Sequence, residues 1–387
     1  MDVDNIKQLI KDLKTQSGTH SPSIETLRQS IGELQIKIDA CFLSNPYATE
    51  LFLKYLENDL IKNQGLRDYL EYYPPQNKSI AENISKFTGV ESEKIFVGNG
   101  AIEIIQAVIQ RFAKGKMLVP IPTFSSYYEF AHEELEVVKY QLEKETEFSF
   151  NFNKMVEFIE LNKINSIVLI NPNNPNGGYI SRTELTDFLS KLRKLEMVIL
   201  DESFIHFAYE EESLNQINNQ RLLNDFENLI IIKSMSKDFG IAGIRAGYAL
   251  MNERYVKSLL NNGYLWNISG LATYFFQLYG KKTFQEEYEI VRKKYITITN
   301  QFFSELKEID GIKVYDSKAN FALVELKNNY NSFDFTLDLL LEKGIYVRDC
   351  SDKIGLDGQY IRVASRTFEE NLKIVEGIKN IISKNTL

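Results

Sequence analysis

Residues 229–250 read LIIIKSMSKDFGIAGIRAGYAL. Leu229, Ile230, Ile231 and Ile232 form an unbroken apolar run, which marks a strand buried on both faces. The polar turn Ser234-Met235-Ser236-Lys237 follows, then Gly240, Gly243 and Gly247, with Arg245 between the last two. The glycines allow close backbone approach. A lysine just past a buried strand can have its charge disfavoured, which frees its amine to condense with a carbonyl. Ser234, Ser236 and Arg245 can hold a phosphate. Taken alone, the stretch equally suits an ordinary turn into a helix with a solvated lysine, and the rest of the chain decides between the two.

Working outward, short buried strands are expected at 94–97, 117–119, 137–140, 166–170, 197–200 and 246–250. Gly98-Asn99-Gly100-Ala101 turns from the first of them into a helix with apolar positions Ile102, Ile105, Ala107, Val108, Ile109 and Phe112. A glycine turn that opens a helix aims free N–H groups and the positive helix end at one point, which suits an anion; a plain strand-to-helix turn fits as well. Phe124, after Pro120-Ile121-Pro122, either fills core or offers a ring face to a flat ligand. The run Asn171-Pro172-Asn173-Asn174-Pro175-Asn176-Gly177-Gly178 suits neither strand nor helix. It is read as a loop at a strand's C-terminal end, the edge where open α/β sheets bind ligands. A helix over 181–195 should follow, with Glu184 as capping-box partner of Ser181. Asp201 ends the next strand, and a buried carboxylate needs a partner, either a pyridinium N–H or a basic side chain. Alternating buried strands and helices predict a mostly parallel α/β sheet. An aldehyde that also carries a phosphate and a pyridine nitrogen is pyridoxal 5'-phosphate (PLP).

Three segments are expected: an N-terminal arm over 1–45, a large domain over 46–270 and a smaller α+β domain over 271–387. In the arm, His20 lies in SGTHSPS, as a solvated loop residue or a ligand. Tyr72-Tyr73-Pro74-Pro75 reads as a stiff turn, and Ser79-Ile80-Ala81-Glu82 as a capping box opening a helix. A long helical region is expected over 273–306, followed by strands at 312–315, 321–325, 345–348 and 360–364. Alternation places Arg348 and Arg362 on the polar faces of their strands. They are either solvated or hold a carboxylate or phosphate, which arginine matches bidentately.

Bulk properties narrow the class. A net charge of -8 over 387 residues gives no footprint for nucleic acid. The only two cysteines, Cys41 and Cys350, exclude a disulfide framework and zinc-ligand spacing. The apolar runs are far too short to cross a bilayer, and the charged, amphipathic start is unlike a signal peptide, so a cytoplasmic enzyme with no metal is expected.

Taken in order, these motifs resemble the fold-type I PLP enzymes, specifically the aminotransferase class I/II branch, over about residues 40–385. The resemblance implies that Lys237 is the Schiff-base lysine and Asp201 the partner of the pyridine nitrogen. It implies that Asn174 bonds the phenolic oxygen and Phe124 stacks on the ring. Gly100, Ala101, Ser234, Ser236 and Arg245 would form the phosphate cup. Tyr73 would reach the phosphate of a neighbouring subunit, making a homodimer with shared sites. Arg362 and Arg348 would bind substrate, with His20 from the arm. The chain is similar to the histidinol-phosphate aminotransferase and threonine-phosphate decarboxylase subgroups. Phe204 stands where most aminotransferases carry tyrosine, which is similar to the decarboxylases. The expected function is decarboxylation of O-phospho-L-serine or O-phospho-L-threonine; the alternative is an aminotransferase of the histidinol-phosphate type. A non-enzymatic regulator with this fold is disfavoured by the presence of Lys237.

Overall fold

The computed structural model describes residues 3–32, 34–209, 214, 219–327 and 330–384. Contacts divide the chain into two compact units, one of Ser44–Asn174 and Gly178–Ile296, the other of Met1–Leu43, Pro175–Gly177 and Thr297–Leu387.

In chain order the strands are β1 (Ile38–Ala40), β2 (Ile95–Asn99), β3 (Lys116–Ile121), β4 (Glu136–Gln141), β5 (Ser166–Ile170), β6 (Met197–Asp201), β7 (Leu229–Ser234), β8 (Ala246–Met251), β9 (Ile312–Val314), β10 (Phe321–Leu326), β11 (Ile345–Asp349) and β12 (Tyr360–Ala364). The first unit holds a seven-stranded sheet ordered β2-β8-β7-β6-β5-β3-β4. β4, β3, β5, β6 and β7 run parallel. β8 is inserted antiparallel between β7 and β2. The unbroken apolar runs of β5, β6 and β7 are explained by this centre, where every residue is buried. β4 closes one edge and has only exposed and half-buried positions, as an edge strand should.

Register brings the chemistry to one edge. Ile170 of β5 pairs with Asp201 of β6, and Asp201 with Ile232 of β7. The Asn171 loop, Asp201 and the Ser234 turn therefore leave the sheet side by side at its C-terminal end.

Three local expectations change. The helix after β2 spans Gly100–Phe112, and it buries Ile104 along with Ala101, Ile105, Val108 and Ile109. Ile102, expected inward, is 36% exposed, because the helix begins at Gly100 and sets the stripe one position further round. The helix near Ser79 starts earlier and spans Asn77–Thr88, with no side-chain capping bond. Ser79 is thus interior to it; Asn77 instead bonds Ile95 O and Val97 N, tying the helix to β2. The region over 273–306 is two helices, Gly270–Tyr279 and Lys282–Lys307. They part at Gly280, where a Cβ would come within 2.9 Å of Asn83 O. The capping box of Ser181 and Glu184 forms as expected, although its helix spans only Arg182–Lys191.

The second unit holds the sheet β1-β11-β12-β10-β9. β1 pairs in parallel with β11, and the remaining pairs are antiparallel. The sequence offers no sign of β1, because three residues are too few to show a period. Among the described residues, no helix is long and apolar enough to cross a membrane.

Candidate functional site

Asp201 is 4% exposed at the tip of β6. Its Oδ2 accepts from the Tyr127 hydroxyl at 2.8 Å and its Oδ1 from the Ser203 N–H at 2.9 Å. Among the described residues no cationic side chain forms an ion pair with it. Burial pushes its pKa up, while the Ser203 and Tyr127 hydrogen bonds and the nearby Lys233 charge oppose that shift. The carboxylate is held in one orientation with no ion-paired cation among the described residues, so it remains able to accept from a further donor. Sequence reasoning missed Tyr127; its signal was a polar-tipped aromatic just after Phe124, whose ring it meets edge-on at 6.5 Å.

The phosphate turn is built by close backbone contact. Gly98 of β2 and Ser234 of β7 both pair with Gly247 of β8. A Cβ on Gly247 would lie 2.6 Å from Ala101 N, so only glycine lets β8 approach the N-terminus of the Gly100 helix. Gly100 has φ +76, and a Cβ there would lie 2.5 Å from Arg245 Nη2. The guanidinium therefore fills the space beside the first turn, where free N–H groups point. Arg245 itself sits at φ 61, held by its Nη1 bond to Ala242 O at 3.0 Å. Ser234 Oγ accepts from Ser236 N at 3.3 Å. Gly100, Ala101, Ser234, Ser236 and Arg245 thus lie near one another around Gly247. Gly247→Ala should force this turn apart; we expect cofactor affinity to fall by roughly tenfold or more, read by absorbance titration, with a smaller loss of stability.

Lys237 lies in the single helical turn Met235–Asp238 and is half-buried. Asn45, buried and legible in the sequence only as a break before Pro46, fixes this turn. Its N–H donates to Lys237 O at 3.0 Å, and its Nδ2 to Asp238 O at 3.3 Å. A buried polar network lies under the turn. Lys233 Nζ donates to Glu202 O at 2.9 Å and forms an ion pair with Asp238. His206 Nδ1 lies 3.0 Å from Asp238 and 3.1 Å from the Tyr288 hydroxyl. Burial, then the Lys233 and Arg292 charges, hold the His206 pKa well below its usual value, so the imidazole is neutral and its Asp238 contact is a hydrogen bond. Arg292, fully buried, donates to His206 O at 2.7 Å and pairs with Glu289.

Asn174 is buried at 6% exposure in the loop after β5. Asn173 braces that loop through Thr123 Oγ1 at 3.0 Å and Pro122 O at 3.0 Å. Phe124, partly buried, packs on the core of the first unit. Phe204 is 4% exposed. Tyr73 is 87% exposed, its ring 5.9 Å from that of Trp266.

The second unit gathers His20, Arg348 and Arg362. Arg348 and Arg362 pair directly across β11 and β12, so both project from one face. Neither is solvated: they are 4% and 9% exposed. Arg348 Nη2 grips both Asp352 oxygens at 2.8 and 2.6 Å and donates to Thr19 O at 2.8 Å. Arg362 Nη2 donates to Cys41 O at 2.9 Å, and its guanidinium lies 5.3 Å from the Phe321 ring centre. His20, next to Thr19, is exposed.

Comparison with known proteins agrees with this layout. The model of the family "Aminotransferase class I and II" matches residues 50–378. The chain is 54% identical, over 98% of its length and 97% of the relative's, to an L-serine phosphate decarboxylase of Campylobacter jejuni. It is 31% identical to a histidinol-phosphate aminotransferase of Methanococcus aeolicus, covering 88% of this chain and 87% of that one. Among solved structures, a decarboxylase from Sulfurospirillum multivorans superposes with a TM-score of 0.91 at 44% identity, covering 98% of this chain and 99% of that one. With a lysine one turn past a buried strand, a carboxylate at the tip of the neighbouring strand and a glycine-built turn on the lysine's other side, the chain belongs to the aminotransferase class I and II family.

Proposed function

We propose that the chain is a PLP-dependent L-serine phosphate decarboxylase, converting O-phospho-L-serine to O-phosphoethanolamine and CO2. The observation that carries this reading is the 54% identity over nearly the whole chain to a protein of that name. The buried Arg348–Arg362 pair supports it, since a phosphoamino acid brings two anionic groups.

The cradle at Gly100 and the cation-poor carboxylate of Asp201 fit the cofactor. Its phosphate would be held by the N–H groups of Gly100 and Ala101, by Ser234 and Ser236, and by Arg245. Tyr73 would reach the phosphate of a second subunit, so the active form is a homodimer. Asp201 would hold the proton on the ring nitrogen, Asn174 would donate to the phenolic oxygen, Phe124 would cover one ring face, and Lys237 would carry the aldehyde carbon. Bound there, PLP supplies a sink for the electron pair left on the substrate's α-carbon. Arg362 would grip the carboxylate, with Arg348 and His20 beside it, and so select which bond at that carbon breaks. As CO2 departs, Lys237 Nζ, or a water, would deliver the proton that takes its place at the α-carbon. Phe204 has no hydroxyl, so Asn174 is the donor assigned to the phenolic oxygen.

The test is direct. Incubation with O-phospho-L-serine should release one CO2 per O-phosphoethanolamine with no keto acid added. Turnover that requires a keto acid and yields no CO2 would overturn the reading in favour of the aminotransferase alternative.

A further inference from the structure

Opposed guanidiniums on one face of a sheet repel each other. The chain adds a third cation to this pair. Lys353 lies in the turn after β11, which Asp349 caps through Ser351 N at 3.0 Å and which closes with Lys353 N bonded to Cys350 O at 3.0 Å. Lys353 is 6% exposed. Among the described residues nothing accepts a hydrogen bond from its ammonium, and no carboxylate forms an ion pair with it. The nearby carboxylates are engaged elsewhere: Asp352 with Arg348, and Asp349 with Lys14, Ser332 and Ser351. Burial and then repulsion from Arg348 lower the Lys353 pKa to about 8, with Arg362 adding to the same effect. An ammonium on a side chain this little exposed, with no bonded partner among the described residues and within reach of the charges of Arg348 and Arg362, is favoured by an anion that can reach it.

We propose that Lys353 is a substrate-binding residue whose ammonium receives the phosphate monoester of the substrate and makes the enzyme select phosphorylated over plain amino acids. The proposal rests on the reading of the chain as a phosphoamino-acid decarboxylase. A phosphate dianion supplies the acceptor that the Lys353 ammonium lacks and negative charge beside the paired arginines. Binding raises the Lys353 pKa, so the free enzyme, about half protonated there near pH 8, takes up a proton as the anion binds, and affinity falls as pH rises through about 8. The groups facing this ammonium are Arg348 on β11, Arg362 on β12, and Cys350 and Asp352 in its own turn. The Cys350 thiol is pushed up by burial, and the phosphate is already a dianion at that pH; burial also lowers the pKa of Lys14, which is paired with Asp349, so the proton uptake that Lys353→Met abolishes is the part assigned to Lys353.

The test uses holoenzyme reduced with borohydride, which stops turnover and reports separately whether the label sits on Lys237. O-phosphoethanolamine, which carries the phosphate without the carboxylate, is titrated calorimetrically at pH 8 in two buffers of different ionisation heat. Wild type should take up roughly half a proton per ligand bound. Lys353→Met should bind roughly tenfold or more weaker, without that uptake, and Lys353→Arg should hold the affinity within a few-fold. Equal affinity in wild type and Lys353→Met, or no proton uptake by wild type, would overturn the proposal. If Lys353→Met fails to fold, the wild-type proton count still decides. If no label reaches Lys237, the decarboxylase reading fails, and titration of the unreduced protein still judges Lys353.

Discussion

Lys237→Ala is expected to lower CO2 release from O-phospho-L-serine by about three orders of magnitude or more, while the protein stays folded. On the proposed reading two roles would be lost together: covalent attachment of the cofactor and delivery of the proton to the α-carbon. The fold should survive because the turn Met235–Asp238 is held by groups that the substitution leaves in place, the backbone of residue 237 included. Asn45 donates to the carbonyl of residue 237 and to that of Asp238, and Ser234 Oγ caps the turn. A half-buried lysine exchanged for alanine leaves no uncompensated buried charge. Absorbance after cofactor addition and gel filtration separates the roles: wild type retains the chromophore, and the variant should lose it on dilution. A variant that releases CO2 at more than a few per cent of the wild-type rate would reject Lys237 as the attachment point.

Asp238→Ala should cause the larger loss of stability, about 3–5 kcal/mol in urea unfolding, because it strips a buried ammonium of its carboxylate. Lys233 is 3% exposed and Asp238 fully buried. Without Asp238, Lys233 keeps only the Glu202 carbonyl, and His206 loses one of its two Nδ1 contacts. Arg292 stays paired with Glu289, so the damage is confined to the Lys233 side of the network. The double variant Lys233→Met, Asp238→Leu removes both charges and should recover most of the loss. If the single and double variants are equally unstable, packing rather than charge pairing sets the cost.

Much of the fold was legible because burial on both faces writes itself as unbroken apolar runs. β5, β6 and β7 matched their runs to within a residue or two. Capping and inward faces were less legible. Ser79 has the pattern of a capping box, yet the helix starts at Asn77, whose side chain is engaged with β2. That contact is long-range and leaves no local mark. Convergence of the glycine turn with Arg245 could be anticipated, since positive-φ positions and close approaches demand particular residues. Tyr127 carried only a faint mark, a polar-tipped aromatic after Phe124, Asn45 read only as a break before Pro46, and Lys233 and Lys353 carried none. Each is an ordinary residue type whose importance comes from what tertiary packing denies it: water or a free orientation. Arg348 and Arg362 illustrate the same limit, because strand alternation gave their shared face but not that the face is covered.

The β7–β8 connection carries a further consequence. On the proposed reading, one uninterrupted run of backbone supplies the attachment point, most of the anion cradle and the turn that reverses the sheet's direction. A ligand gripped there has no counterpart to grip in the unravelled polypeptide. Binding of the proposed cofactor there would therefore add to the free energy of folding, and its supply would help set how long each copy of the enzyme survives.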